Sequence, residues 1–256
     1  MKNHFYMGYA GNKREEVERI FENINFSKVD TIIEPFAGSC ALSYFISTKY
    51  PKKFKYILND LNPKLKEMFE LIRNPEELKK FEDKYNSILP TLNKEEYNKL
   101  IKQNDLFGWF VGNKYYQIRA GLFPTTDNRK KSVDFSIFPI VQFFRDEDIE
   151  FLTTDAVELI DEYKHKSNVL MFLDPPYINT CNEFYDYGKT NINIYEYLYN
   201  FDIRYWLCNV VLVLERNWII SLLFRTHQII EYDKTYQTTK KKTTHILVKN
   251  KNENEL

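Results

Sequence analysis

Val169-Leu170-Met171-Phe172-Leu173 runs straight into Asp174-Pro175-Pro176-Tyr177, and the reading of this stretch decides the fold. The apolar run does not alternate, which predicts a strand buried on both faces, as in a parallel sheet. Pro175 and Pro176 lack backbone donors and hold φ near one value, so the strand must stop there in a stiff, extended segment. A carboxylate, an acceptor-rich main chain and an aromatic ring are thereby fixed at the carboxyl edge of the sheet. Ligands bind at that edge in open α/β folds. A strand followed by an ordinary Pro-rich turn explains the same residues, so the neighbouring segments must decide.

Upstream, Val29 to Ile33 predicts a strand, and Glu34-Pro35-Phe36-Ala37-Gly38-Ser39-Cys40 a loop before a helix that opens at Ala41. Strand, small-residue loop, helix is the unit that wraps a nucleoside or cofactor in doubly wound folds. Gly38 permits close backbone approach, the helix amino terminus would offer N–H groups, and Glu34 would accept hydrogen bonds from a ligand. Neither GxGxxG nor a Walker A sequence is present, which argues against dinucleotide and nucleoside-triphosphate sites. Lys55 to Leu58 predicts the second strand, and Asp60 follows its end. Its distance from Gly38 is close to the roughly 20 residues that suit an acid binding a ribose diol. Pro63 sits near the start of the next predicted helix, where its missing N–H is harmless. Asp155 closes a further segment of strand character that begins at Asp148. At the start of the chain, the turn Tyr9-Ala10-Gly11-Asn12-Lys13-Arg14 precedes a helix predicted from Glu15 to Phe21, and Lys13 would point a cation into a neighbouring pocket.

Length and charge set limits. The chain has 256 residues, enough for one large α/β domain or a core domain with a smaller insertion. Lys+Arg and Asp+Glu are equal at 36 each, so a uniformly basic coat is excluded while a local patch is not. Cys40, Cys181 and Cys208 are odd in number, widely separated and without metal-ligand spacing, which predicts a reducing, intracellular setting with no disulfide and no zinc site. No signal peptide is indicated, and no apolar run approaches the roughly 20 residues of a membrane span.

The middle of the chain changes texture. Asn74 to Lys102 is charged and helical, interrupted at Pro90, with Phe81, Tyr85 and Ile88 as an apolar stripe. Aromatics interleave with glycine, amide and basic residues from Leu106 to Pro124, and Arg129-Lys130-Lys131 follows. That mixture suits a surface that stacks bases and contacts phosphate. An aromatic mini-core with a solvated basic loop accounts for it as well. Towards the end, Asn179 to Tyr187 predicts a loop, Ile194 opens a helix, Val210 to Leu214 a strand and Trp218 to Phe224 a helix. Gln228 to Tyr232 and Thr244 to Val248 then predict an antiparallel pair, with Lys240-Lys241-Lys242 between them.

Taken together, the Lys13 turn, the Glu34–Cys40 loop, Asp60, Asp155 and Asp174-Pro175-Pro176-Tyr177 resemble the S-adenosylmethionine-dependent DNA adenine-N6 methyltransferases of the Dam-like, D12 class. The family order is an early lysine turn, an FxGxG cofactor loop, a target-recognition region and then DPPY, and the chain follows it over nearly its full length. The resemblance implies an α/β fold, Rossmann-like and of the class I methyltransferase type, with a mixed, mostly parallel sheet. Residues 1–68 and 145–256 would form the catalytic domain and 69–144 an inserted, mainly helical target-recognition domain.

The resemblance further implies S-adenosylmethionine as cofactor, held by Tyr9, Lys13, Glu34, Pro35, Phe36, Ala37, Gly38 and Ser39, with Asp60 at its ribose, Asp155 at its adenine and Asp174 beside it. Asp174, the Pro175 carbonyl and Tyr177 would carry catalysis on a flipped adenine. Lys114, Arg119, Arg129 and Lys130 would contact double-stranded DNA. Neither a metal nor a membrane enters this scheme, and a monomer or weak dimer suffices. Two positions depart from the family: Cys40 stands where the second glycine of FxGxG is usual, and Glu215-Arg216-Asn217 replaces small polar residues. The alternatives are a weakened or inactive relative that binds DNA or serves structurally, and an amino-methyltransferase acting on cytosine N4.

Overall fold

The computed structural model of the chain describes residues 13–114, 132–177, 191–200, 202–235 and 242–250. The described chain divides into two compact units, one of Asn62–Asp146 and one of Lys13–Leu61 with the residues from Glu147 onward.

The second unit is built on seven strands: β1 (Thr31–Glu34), β2 (Lys55–Asn59), β3 (Asp148–Leu152), β4 (Val169–Leu173), β5 (Asn209–Glu215), β6 (Gln228–Thr235) and β7 (Lys242–Lys249). Their order is β3-β2-β1-β4-β5-β7-β6. All neighbours are parallel from β3 to β5, and β7 then pairs antiparallel with both β5 and β6. This is the mixed, mostly parallel sheet expected of a Rossmann-like class I methyltransferase. β1 and β4 lie side by side, with Ile33 opposite Met171, and the strand order reverses between them. Their carboxyl ends therefore flank the switch point where open sheets bind ligands.

All five residues of β4 are buried, as the lack of alternation predicts. Val169, Met171 and Leu173 join a cluster with Leu159 and Ile160 of α8 (Ala156–Tyr163), Ile194 and Leu198 of α9 (Asn191–Asn200) and Ile220 of α10 (Trp218–Leu223). Leu170 and Phe172 must then face the opposite side of the sheet. Burying each such side chain stabilises the fold by about 1.5–3 kcal/mol. The remaining helices of this unit are α1 (Val17–Glu22) and α2 (Ala41–Lys49), joined by an edge-on contact of Phe21 with Phe45 at 5.3 Å between ring centroids.

The first unit is helical among its described residues: α3 (Pro63–Arg73), α4 (Pro75–Ile88), α5 (Lys94–Lys102), α6 (Leu106–Lys114) and α7 (Pro139–Asp146). Asn62, Asn74 and Asn93 cap α3, α4 and α5 through their side chains, with Pro63 and Pro75 in the first turns of α3 and α4. Phe107, Phe110 and Val111 of α6 are buried. Phe110 packs edge-on against Phe81 and Tyr85 of α4. Over these residues the aromatic texture is core packing rather than a stacking surface, because a helix brings positions 107, 110 and 111 onto one side.

Gly108 sets how closely α6 approaches α5, since a Cβ there would lie 2.2 Å from the Leu100 carbonyl oxygen. Gly108→Ala should cost about 1–3 kcal/mol of stability through this forced displacement, read as a lower urea midpoint, whereas Gly112→Ala, whose nearest neighbour is the Ile101 Cγ2 at 3.4 Å, should cost less.

Candidate active site

Asp174 follows β4 directly, and the Pro175-Pro176 pair prevents the strand from carrying its carboxylate further into the sheet. Its Oδ2 lies 2.6 Å from the Nζ of Lys13, and the two side chains are only 16% and 6% exposed. Burial pushes the Asp174 carboxyl above its ordinary range, while the Lys13 ammonium, by charge and hydrogen bond, works to hold it ionised. The same ammonium stands 5.2 Å from the centroid of the Tyr177 ring. From α9, the Tyr195 hydroxyl donates to the Pro176 carbonyl at 3.2 Å. The tetrapeptide is thus gripped from two sides.

Glu34 ends β1 and is 2% exposed. Its Oε1 accepts from the Ser43 backbone N–H at 2.8 Å and the Ser43 hydroxyl at 2.5 Å. The N–H groups and ligand-accepting carboxylate expected of this stretch are therefore partly spent on each other, since Glu34 caps the first turn of α2. Burial raises the Glu34 pKa to about 7 against the two Ser43 hydrogen bonds, with the Asp174 charge adding to the rise.

Between Glu34 and α2 the loop turns through two left-handed residues, Gly38 at φ 48° and Cys40 at φ 53°. The Gly38 N–H donates to Asp60 Oδ2 at 3.0 Å, so Asp60 braces the loop from the end of β2. Cys40 is buried, its N–H donates to the Ala37 carbonyl at 2.7 Å, and burial pushes its thiol well above the ordinary range. The second glycine of FxGxG is here a side chain in the region that glycine favours.

Asn59, which the sequence reading passed over, ties three strand ends together. Its side-chain amide donates to the Pro35 and Thr154 carbonyls, both at 3.0 Å, and its oxygen accepts from the Thr154 N–H at 2.9 Å. Its own carbonyl accepts from the Ala37 N–H at 2.8 Å. Asp155, beside Thr154, caps α8 by accepting from the Val157 N–H at 2.8 Å. Pro35, Ala37, Gly38, Asp60 and Asp155 are thus brought to one edge with Lys13, Asp174 and Tyr177. The donor set fits a nucleoside that carries an amino acid, with carboxylates for hydroxyl and ammonium groups and a small-residue loop for close approach.

Behind Lys13 lies a second cluster without a sequence signature. Glu16, 4% exposed, accepts from the Tyr232 hydroxyl at 2.7 Å, sits 2.7 Å from His245 Nδ1 and pairs with Lys234. Burial alone would raise its pKa, but the His245 hydrogen bond and the charges of Lys13, Lys234 and His245 lower it to about 2.

Lys114 ends α6, with its Nζ 5.9 Å from the Phe138 ring centroid. Tyr9, Arg119, Arg129 and Lys130 lie outside the described residues, as do the 179–187 loop and Lys240 and Lys241. Cys40 and Cys208 are both buried; among the described residues no group of three or more His, Cys, Asp or Glu is placed to hold a metal, and no helix is long and apolar enough to cross a membrane.

Two comparisons bear on this site. A family model described as D12 class N6 adenine-specific DNA methyltransferase matches residues 9–138. The type II methyltransferase M.CviBI of Paramecium bursaria Chlorella virus NC1A is 25% identical over 267 aligned positions, covering 94% of this chain and 97% of that protein.

Two measurements probe the loop. Cys40→Gly should cost less than Cys208→Gly by about 1–2 kcal/mol, because only the first relieves a left-handed backbone; urea unfolding of the two variants makes the comparison. Glu34 binds a proton more tightly folded, near 7, than unfolded, near 4.5. Its contribution is therefore complete below pH 4.5 and lost as pH rises through 7. Glu34→Gln should flatten the fall in thermal midpoint across that window.

Proposed function

The chain belongs to the D12 class of N6 adenine-specific DNA methyltransferases, and from that membership we propose that it transfers a methyl group from S-adenosylmethionine to the N6 amino group of an adenine within a short sequence of double-stranded DNA, with the base turned out of the helix. The observation that carries the reading is the Asp174 carboxylate, fixed at the switch-point edge by Lys13 at 2.6 Å, with the same ammonium 5.2 Å from the Tyr177 ring.

Adenine N6 is a poor nucleophile because its lone pair is delocalised into the ring. Two acceptors on its N–H groups favour a pyramidal nitrogen and free that lone pair. With Asp174 Oδ2 engaged by Lys13, Oδ1 is assigned one N–H and the Pro175 carbonyl the other, aimed by proline's fixed φ. Tyr177 supplies an aromatic face for the extruded base. Burial raises the Asp174 pKa and the Lys13 ammonium opposes that rise; the carboxylate form is assigned to take, at Oδ1, the proton that the methylated nitrogen must lose. S-adenosylmethionine, when bound, supplies an electrophilic methyl group on a sulfonium centre. Gly38 and its loop, Asp60 and Asp155 are the residues assigned to hold it, and alignment supplies most of the rate.

Incubation with labelled cofactor and unmethylated duplex DNA should place label in N6-methyladenine. Asp174→Ala should lower the initial rate at saturating cofactor by at least about 100-fold. Label on cytosine, or equal rates for the two proteins, would overturn the assignment.

A further inference from the structure

The Glu16 cluster is larger than a structural ion pair requires, and it touches the reactive edge at two points. Glu16 lies one turn from Lys13, whose carbonyl accepts the Glu16 N–H at 2.8 Å. Its carboxylate is then clasped by three side chains of the terminal hairpin: Tyr232 and Lys234 from β6 and His245 from β7. His245 is 1% exposed, and its ring meets the Tyr177 ring edge-on at 5.3 Å and 83°. One imidazole therefore contacts both the carboxylate that anchors the Lys13 segment and the aromatic ring assigned to the base.

We propose that His245, oriented by Glu16, is a positioning residue that sets the Tyr177 ring for the extruded base. Glu16 is ionised at neutral pH, so both its oxygens only accept, and His245 Nδ1 must be the protonated nitrogen of that contact. A fixed donor nitrogen and a fixed ring plane follow, much as carboxylates orient ligating histidines in metal sites. The edge-on geometry places the partly positive rim of one ring against the face of the other, which restrains rotation of both. No part of this acts on the reacting atoms; it acts through Tyr177. The inference rests on the reading of Asp174 and Tyr177 as the transfer site.

The test is a double-mutant cycle between positions 245 and 177. His245→Asn keeps an N–H for Glu16 but removes the ring, whereas His245→Phe keeps a ring and removes the N–H. Each should lower kcat by about 10–100-fold with KM for S-adenosylmethionine unchanged within twofold. In a Tyr177→Ala background His245→Asn, which keeps the Glu16 contact, should change kcat by less than about twofold, because the ring it positions is gone. A readout independent of turnover is the fluorescence of 2-aminopurine substituted for the target adenine, once labelling has located it: the His245 variants should bind the duplex but alter the extruded-base signal. Additive losses in the cycle, or wild-type kcat and fluorescence in both His245 variants, would overturn the proposal. If Tyr177→Ala itself leaves kcat intact, the role assigned to Tyr177 fails instead, and with it the premise; a loss on Tyr177→Ala alone sinks only the His245 inference. Thermal unfolding of each variant identifies any that do not fold, and His245→Gln, which keeps an amide N–H for Glu16 while removing the ring, then replaces it in the same cycle.

Discussion

Asp174 and Lys13 form an ion pair whose members are separated by most of the chain and largely hidden from water. An isolated carboxylate at the end of a strand buried on both faces would sooner take up a proton than stay charged. The ammonium at 2.6 Å opposes that tendency, so the position of Lys13 bears directly on the charge at the β4 end. Lys13, however, sits on a short segment ahead of a six-residue helix, which has little stability of its own. What holds it is Glu16, and what holds Glu16 is the hairpin at the far edge of the sheet. This edge of the sheet is thus assembled from segments far apart in sequence around the strand β4.

Much of this was legible in the residues. β4 declared itself through five apolar residues without alternation, and the two prolines marked where it must end. The antiparallel pair at the end of the chain was legible too, although both strands extend beyond the predicted spans. β1 begins at Thr31 rather than Val29 and keeps Glu34 within the strand, a shift that turns Glu34 from a loop acid into the cap of α2. The stretch from Leu106 was harder. A base-stacking surface and an aromatic mini-core explained its residues equally well, and although Gly108 and Gly112 lower helix propensity, Phe107, Phe110 and Val111 recur at helical spacing and are buried, which favours the mini-core over the described residues.

The rest could not be read because it depends on contacts remote in sequence. Glu16 is 216 residues from Tyr232 and 229 from His245, and no periodicity links them. A single histidine in a short strand has no signature until its neighbours are known. Asn59 is similar, since an asparagine at a strand end looks like a turn residue, and only the meeting of Pro35 and Thr154 reveals it as a tie. Cys40 was visible as a departure from the family loop. Its left-handed backbone shows that the geometry of the glycine persists after the glycine is gone.

The clasp on Glu16 also orders events in time. During synthesis Glu16 leaves the ribosome more than 200 residues before His245, which at ordinary elongation rates is a delay of about 10–45 s. For most of that interval the nascent chain can pair its early strands, yet a carboxylate destined for the interior has none of its three hairpin partners, the first of which, Tyr232, emerges only shortly before His245. Burying it then would leave an uncompensated charge, so the segment that carries Lys13 has reason to stay in water. The last strands to emerge are the ones that let Lys13 take its place, and a polypeptide interrupted short of β7 would have the tetrapeptide after β4 without the clasp that holds the partner of its carboxylate.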